Sequence, residues 1–133
     1  MIFLDSSFLI SATVEIDQNH EKAASIMGDI ISGKYGMPVI SDYIFDETVT
    51  VILVRTKDLE KASLAGEKLK ASMKMLKIED MDFNEAWEIF KSQQNAKFSF
   101  TDCTTLSAMK TNGIKNIVTF DGDFKKIKGI NVV

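Results

Sequence analysis

Apolar residues in this chain come either in short unbroken runs or at intervals of three and four, and the two patterns alternate along its length. Ile2-Phe3-Leu4 is a run that stops at Asp5, the signature of a buried parallel strand and not of a half-exposed one. Between Asn19 and Ser32, Ala23, Ala24, Met27, Ile30 and Ile31 recur at helical spacing, with Gly33 where a C-terminal cap belongs. Met37 to Ile40 predicts a second short strand. The stretch from Ser41 to Thr56 contains Thr48-Val49-Thr50-Val51-Ile52-Leu53-Val54, β-branched enough for a strand by propensity. Ser41 and Asp42 are good N-cap residues, however, and the stretch is long for a strand, so a helix buried on all sides is the favoured reading.

Lys57 to Lys74 carries Leu59, Ala62, Leu69 and Met73 among charges and predicts an amphipathic helix. Met75 to Ile78 is a candidate strand or connector. Asp82 to Asn95 predicts a helix with Asp82 as its N-cap and Glu85 completing an acidic capping box. Thr101 to Asn112 predicts another, opened by Ser99 or Thr101 and closed at Gly113. Asn116 to Phe120 is an apolar strand ending at Asp121, and Gly129 to Val133 supplies an edge strand. Strands alternating with helices imply an α/β fold with a mainly parallel sheet covered on both faces. No repeat or linker interrupts the 133 residues, and the expectation is one domain over residues 1–133.

Composition narrows the class. Hydrophobic residues at 45% and charged residues at 26% suit a globular domain with a sizeable core. No apolar run is long enough to cross a bilayer, and MIFLDSSFLI has neither the basic leader nor the cleavage site of a signal peptide. The single cysteine, Cys103, has no partner for an internal disulfide, which fits a reducing cytoplasm. A net charge of −3 argues mildly against grip on nucleic acid through a broadly basic surface. Lysines do cluster from Lys57 onward and again at Lys125, Lys126 and Lys128, where solvated helix faces and a tail account for most of them.

Four acids carry the chemistry. Asp5 and Asp121 each end an apolar strand, Asp102 falls in the first turn of a helix, and Glu47 lies within the first two turns of another. In open parallel sheets, functional groups gather beyond the carboxyl ends of strands and at the facing helix N-termini, so all four can share one crevice. Packed carboxylates repel and resist burial, and a hard divalent cation relieves both. Oxygen ligands of this kind suit Mg²⁺ or Mn²⁺, which activates water and stabilises the charge developing on a phosphodiester. Each acid has a plainer reading taken singly: Asp5 as N-cap of the turn that follows, Asp102 as a helix-dipole partner, Glu47 as a surface acid. Those readings do not explain why an acid ends an apolar strand twice. His20 reads as a surface or capping residue, and Cys103 as a small core hydrophobe.

The arrangement resembles PIN-domain proteins, most of all the toxin ribonucleases of VapBC toxin–antitoxin systems. Phe3-Leu4-Asp5-Ser6-Ser7 is similar to the family's strand-ending aspartate followed by small hydroxyl residues. Ser41-Asp42-Tyr43-Ile44-Phe45-Asp46-Glu47 resembles its second motif, Ser99-Phe100-Thr101-Asp102 its third, and Thr119-Phe120-Asp121-Gly122-Asp123-Phe124 its closing motif. The resemblance implies a three-layer, Rossmann-like α/β/α sandwich and Mg²⁺- or Mn²⁺-dependent endoribonuclease activity on RNA. It further implies homodimerisation and inhibition by a cognate antitoxin. Asp5, Glu47, Asp102 and Asp121 would be metal ligands and catalytic residues, while Ser6, Thr101, Thr119 and Asp123 would support them or touch substrate. Apolar residues between Lys57 and Met75 in excess of one buried face also favour a dimer.

Other readings make different demands. A haloacid dehalogenase-type phosphatase wants a second aspartate two residues after the first, where this chain has Ser7. A receiver domain needs an acidic pair at the first strand and a lysine at the last motif, and neither is convincing. An RNA-processing or RNA-decay nuclease of the same fold, or a PIN-fold interaction module that no longer cuts, remain as alternatives to a toxin.

Overall fold

A computed structural model describes all of residues 1–133. In chain order the elements are β1 (Ile2–Leu4), α1 (Ser6–Thr13), α2 (His20–Ile31), β2 (Pro38–Ser41), α3 (Asp42–Thr56), α4 (Leu59–Ser72), β3 (Lys74–Leu76), α5 (Asp80–Lys91), α6 (Phe100–Thr111), β4 (Asn116–Val118), a 3-10 turn (Gly122–Lys126) and β5 (Asn131–Val132). The five strands form one parallel sheet in the order β3-β2-β1-β4-β5. Ile2, Phe3 and Leu4 of the central strand are all fully buried, so both faces of the sheet are covered and the predicted α/β sandwich is the one formed.

The topology places a crevice. From β1 the chain runs outward through β2 to β3, then crosses back to β4 on the other side of β1. Strand order therefore reverses between β1 and β4, which are in register from Ile2 opposite Asn116 to Leu4 opposite Val118. Loops leave the carboxyl ends of these two strands in opposite directions and open a gap there. Asp5 follows β1 directly, its N–H bonded to the Val118 carbonyl at 3.0 Å, and Thr119 to Asp121 follow β4.

Helix boundaries follow local chemistry. The ambiguous segment is indeed a helix, α3: the Ser41 hydroxyl accepts from the Ile44 N–H at 3.1 Å, and Ile44, Thr48 and Ile52 are buried between neighbouring helices. Gly66 on α4 lets the α3 side chains close in, because a Cβ there would stand 3.2 Å from Val49 Cγ1. The helix α1 was not predicted as an element. Ser6, Phe8, Leu9, Ile10 and Ser11 are all buried, so the segment has no polar face to give it a helical period.

Three boundaries differ from expectation. Asp82 does not cap α5, which starts two residues earlier behind Glu79. Instead Asp82 is buried against α6, accepting from Thr111 Oγ1 at 2.8 Å and Ser107 Oγ at 3.4 Å, a better use of a carboxylate than an exposed cap. That helix stops at Lys91 because the Gln93 side chain pairs with both the N–H and the carbonyl of Phe98 and turns the chain. The last long strand ends at Val118, not Phe120, because the Phe120 N–H leaves the sheet to donate to Ser7 Oγ.

Candidate metal and active site

Asp5 is the pivot of the crevice. It occupies the N-cap position of α1 with extended backbone angles, yet its carboxylate makes no capping bond. Its Oδ2 instead accepts from Thr119 Oγ1 at 2.7 Å and from Ser7 Oγ at 2.6 Å. Each of those hydroxyls also accepts a backbone N–H: that of Phe120 at Ser7 (3.1 Å) and that of Asp121 at Thr119 (3.0 Å). A hydroxyl has one proton, so both protons are committed to Asp5 and the loop after β4 is fastened to the loop after β1. Asp5 Oδ1 is left buried with no partner at all, and the residue is only 2% exposed. An ionised oxygen in that position is expensive unless a cation or another donor comes to it.

The other acids are ranged around it. Ser6 donates its hydroxyl to Glu47 Oε2, bringing the α3 acid beside the residue that follows Asp5. Asp102 lies in the first turn of α6, where Ser99 and Asp102 form a reciprocal capping box: Ser99 Oγ accepts from the Asp102 N–H and Asp102 Oδ2 from the Ser99 N–H. Burial pushes the Asp102 carboxyl up to about 6, opposed by the Ser99 N–H and reinforced by the negative charges of Asp5 and Asp121. Asp121 turns Oδ1 onto the Asp123 N–H at 2.9 Å, starting the 3-10 turn. The acids distant in sequence are therefore carried to the same end of the sheet, beyond the carboxyl ends of its central strands.

Their side chains do not yet converge on a point. No group of three or more Asp, Glu, His or Cys side chains is arranged closely enough to hold an ion. Glu47 accepts from the Ser6 hydroxyl, Asp102 from the Ser99 N–H and Asp121 from the Asp123 N–H, so each has one oxygen engaged within the chain. The donor set fits a hard cation, being carboxylate oxygens only, with Asp5 Oδ1 unsatisfied and the Asp102 carboxyl raised by burial and by the charges of Asp5 and Asp121.

The remaining sequence candidates separate. Thr119 is at the centre and Ser6 holds Glu47. Thr101 offers only its backbone carbonyl, to Thr104 Oγ1, and its side chain joins no acid. Asp123 is drawn away, bonded to Lys126 Nζ at 2.5 Å and to the Lys97 N–H at 3.0 Å, and the Lys126 ammonium holds its carboxyl below the usual range. Cys103 is fully buried, and burial together with Asp102 pushes its thiol up to about 11, so it supplies no thiolate at neutral pH. His20 sets a ring nitrogen 2.8 Å from the Ser11 carbonyl and stays out of the crevice. Ser7 is the residue not singled out beforehand. The only trace of it in sequence is a hydroxyl two positions after a strand-ending aspartate.

A second concavity lies apart from the acids. A groove of about 970 Å³, lined among others by Ala12, Met27, Ile31, Leu64, Ala65 and Met73, runs between α1, α2 and α4. No helix is long and apolar enough to cross a membrane.

Known proteins match the chain and its fold over nearly the whole length. The 23S rRNA-specific endonuclease VapC20 of Mycobacterium tuberculosis is 27% identical over 124 residues, covering 93% of this chain and 92% of that protein. The crystal structure of M. tuberculosis VapC20, described as a sarcin–ricin loop cleaving toxin, superposes with a TM-score of 0.83 at 25% identity over 95% of this chain and 94% of that one. VapBC2 from Rickettsia felis, solved bound to a promoter DNA fragment, shares the fold at a TM-score of 0.71 and 14% identity, covering 100% and 98% of the two chains. PAE2754 from Pyrobaculum aerophilum does so at 0.68 and 18%, over 99% and 88%. The family model of the PIN domain spans residues 2–130, from the strand before Asp5 to beyond the loop of Asp121, and the chain belongs to the PIN-domain family.

Proposed function

We propose that this protein is a divalent-metal-dependent endoribonuclease, the toxin of a toxin–antitoxin pair, with Asp5, Glu47, Asp102 and Asp121 as its metal-binding and catalytic acids. The observation that carries the reading is Asp5: a buried carboxylate with one oxygen held by two hydroxyls and the other satisfied by nothing in the chain. Mg²⁺ or Mn²⁺ bound by these acids would activate water and stabilise the charge that builds on the phosphodiester.

The chain's own part is positional. Ser7 and Thr119 fix the Asp5 carboxylate in one rotamer, Ser6 carries Glu47, and the capping box holds Asp102 at the mouth of α6. Ligands held by partners of this kind need less reorganisation when charge develops. Asp123, already neutralised by Lys126, braces the closing loop and leaves Asp121 as the fourth acid. RNA is the proposed substrate class, in line with the 23S rRNA named for the relative. The apolar groove between α1, α2 and α4 supports an antitoxin as protein partner, and exposed Leu59 and Met75, outside that groove, support a homodimer. We place the protein in the cytoplasm, as one PIN domain over residues 1–133.

Asp5→Asn and Asp102→Asn keep side-chain size and every hydrogen-bond acceptor used in the fold, so they test chemistry without dismantling structure. Each is expected to lower RNA cleavage by about a hundredfold or more while the circular dichroism spectrum stays native. Undiminished cleavage by both variants, or full activity in EDTA, would end the proposal.

A further inference from the structure

Lysines without an acidic partner stand around the closing loop of the crevice. Lys22, in the first turn of α2, sets Nζ 5.7 Å from the centre of the Phe120 ring, and Phe120 is the residue before Asp121. That ring in turn packs against Phe8 of α1, with centroids 6.2 Å apart. On the other side of Asp121, the Asp123 carboxylate accepts the Lys97 N–H at 3.0 Å and Lys126 Nζ at 2.5 Å, and Lys126 also reaches the Asn95 carbonyl at 3.0 Å. These bonds clasp the segment before α6 to the 3-10 turn. Lys97 therefore stands beside the loop that carries Asp121, two residues ahead of Ser99, which caps the helix of Asp102. In a 3-10 turn residues three apart share a face, which puts Lys126 with Asp123 and Lys125 with Gly122, next to Asp121.

The state of these charges matters more than their number. Lys77, Lys91 and Lys110 are paired with Asp42, Glu88 and Glu85. Lys22, Lys97 and Lys125 are exposed and make no ion pair. Lys22 is held by an aromatic face, which attracts an ammonium without cancelling its charge. A phosphodiester must approach Asp5, Glu47, Asp102 and Asp121 on a chain of net charge −3, and cations at the rim of that crevice offset the repulsion. An ammonium already paired with a carboxylate contributes little to this. The occupant that suits the rim is therefore the backbone of the strand whose phosphodiester enters the crevice. The proposed protein partner has its surface elsewhere: from α2 the apolar groove takes Ala24, Met27, Gly28 and Ile31, while Lys22 turns to Phe120.

We propose that Lys22, Lys97 and Lys125 bind backbone phosphates of the RNA around the scissile phosphodiester, Lys22 on one side of Asp121 and the other two on the opposite side. The proposal rests on the nuclease reading, whose own failure would show separately, as intact cleavage by Asp5→Asn. Lys128 belongs to the same run of lysines but not to this rim. It lies three residues before Asn131, which pairs with Asn116 at the amino end of β4, away from the acids.

Fluorescence anisotropy of a labelled single-stranded RNA in EDTA reads these contacts without cleavage. Each of Lys22→Gln, Lys97→Gln and Lys125→Gln is expected to weaken binding about three- to tenfold and to flatten the slope of log affinity against log salt by about 0.7. Lys22→Arg, which keeps both the charge and the contact with the Phe120 ring, should retain most of the affinity. Lys128→Gln makes the same change in net charge at the far end of the sheet and should bind as the wild type does. All four lysines are exposed, so melting temperatures near wild type are expected throughout. With metal present, the three rim variants should raise KM while kcat changes far less. The rim is refuted if Lys128→Gln weakens binding as much as they do, since net charge alone would then act. It is refuted as well if the rim variants keep the affinity and salt slope of the wild type. Displacement of the RNA by an equal concentration of polyglutamate of matching length would also overturn it, by making the rim a seat for an acidic protein segment.

Discussion

Ser7 and Thr119 show how little a residue needs in order to matter. Each spends its one hydroxyl proton on Asp5 Oδ2 and accepts a backbone N–H from the loop after β4, so four donors from two distant segments fall on three oxygens. Removing the Ser7 hydroxyl leaves Thr119 as the one donor to Asp5 Oδ2 and the part-buried Phe120 N–H without its acceptor. Ser7→Ala is expected to lower cleavage about 10- to 100-fold, the range for groups that orient metal-binding side chains, and to weaken Mn²⁺ binding in calorimetry. Unchanged metal affinity in that variant would assign Ser7 to folding alone. Of this arrangement the sequence displayed the strand-ending aspartate and the closing threonine. The role of Ser7 stayed hidden because the Phe120 N–H and Thr119, which it joins to Asp5, are more than a hundred residues away.

At the scale of elements, α5 and α6 are joined by charge as much as by apolar contact. Asp82 is 6% exposed and bonds Thr111 and Ser107, while Glu85 bonds Ser107 at 3.2 Å and Lys110 at 2.5 Å. Cutting the buried carboxylate back to a methyl removes an acceptor of the fully buried Ser107 hydroxyl and the partner of the Thr111 hydroxyl at the edge of the interface. Asp82→Ala should cost about 1–3 kcal/mol in urea denaturation, and Asp82→Asn, which still accepts the Thr111 proton, distinctly less. Equal losses would mean that the charge, not the hydrogen bond, stabilises the pair. Element existence was legible in sequence where period was strong, as in α2 and α4. It failed at α1, whose all-round burial erases the period, and at the start of α5, where a tertiary partner claimed the residue that looked like a cap.

At the scale of the molecule, folding places unfavourable charge at Asp102. The Asp102 carboxyl is raised to about 6 in the fold, so between the ordinary value of 3.8 and about 6 the native state keeps a proton that the unfolded chain releases. Its contribution to stability is therefore fully present below about 3.8 and lost as pH rises through about 6. In EDTA, the melting temperature of the wild type should fall relative to Asp102→Asn across that window. At neutral pH, Mn²⁺ should raise the wild-type melting temperature, because a ligand that binds only the folded state adds to its stability. The Asn variant should respond much less. Parallel melting curves for the two proteins at every pH, with no response to Mn²⁺, would remove the electrostatic basis of the site.

The sequence by itself determined the class of fold and nominated the acids that the proposed function uses. Alternating short runs and helical periods are local properties, and an aspartate that ends an apolar strand must emerge at the strand's carboxyl edge wherever that strand lies in the sheet. What it left undecided depended on contacts between distant segments. Asp121 and Asp123 look alike in the motif Asp121-Gly122-Asp123, and only the folded loop brings Lys126 and the Lys97 N–H to Asp123. Phe83, Trp87 and Phe90 of α5 read as ordinary helix amphipathicity until α6 sets Phe100 against them, two residues before Asp102. Periodicity describes which face of an element is apolar; what that face meets is settled by the order in which strands cross, and that order is a property of the whole chain.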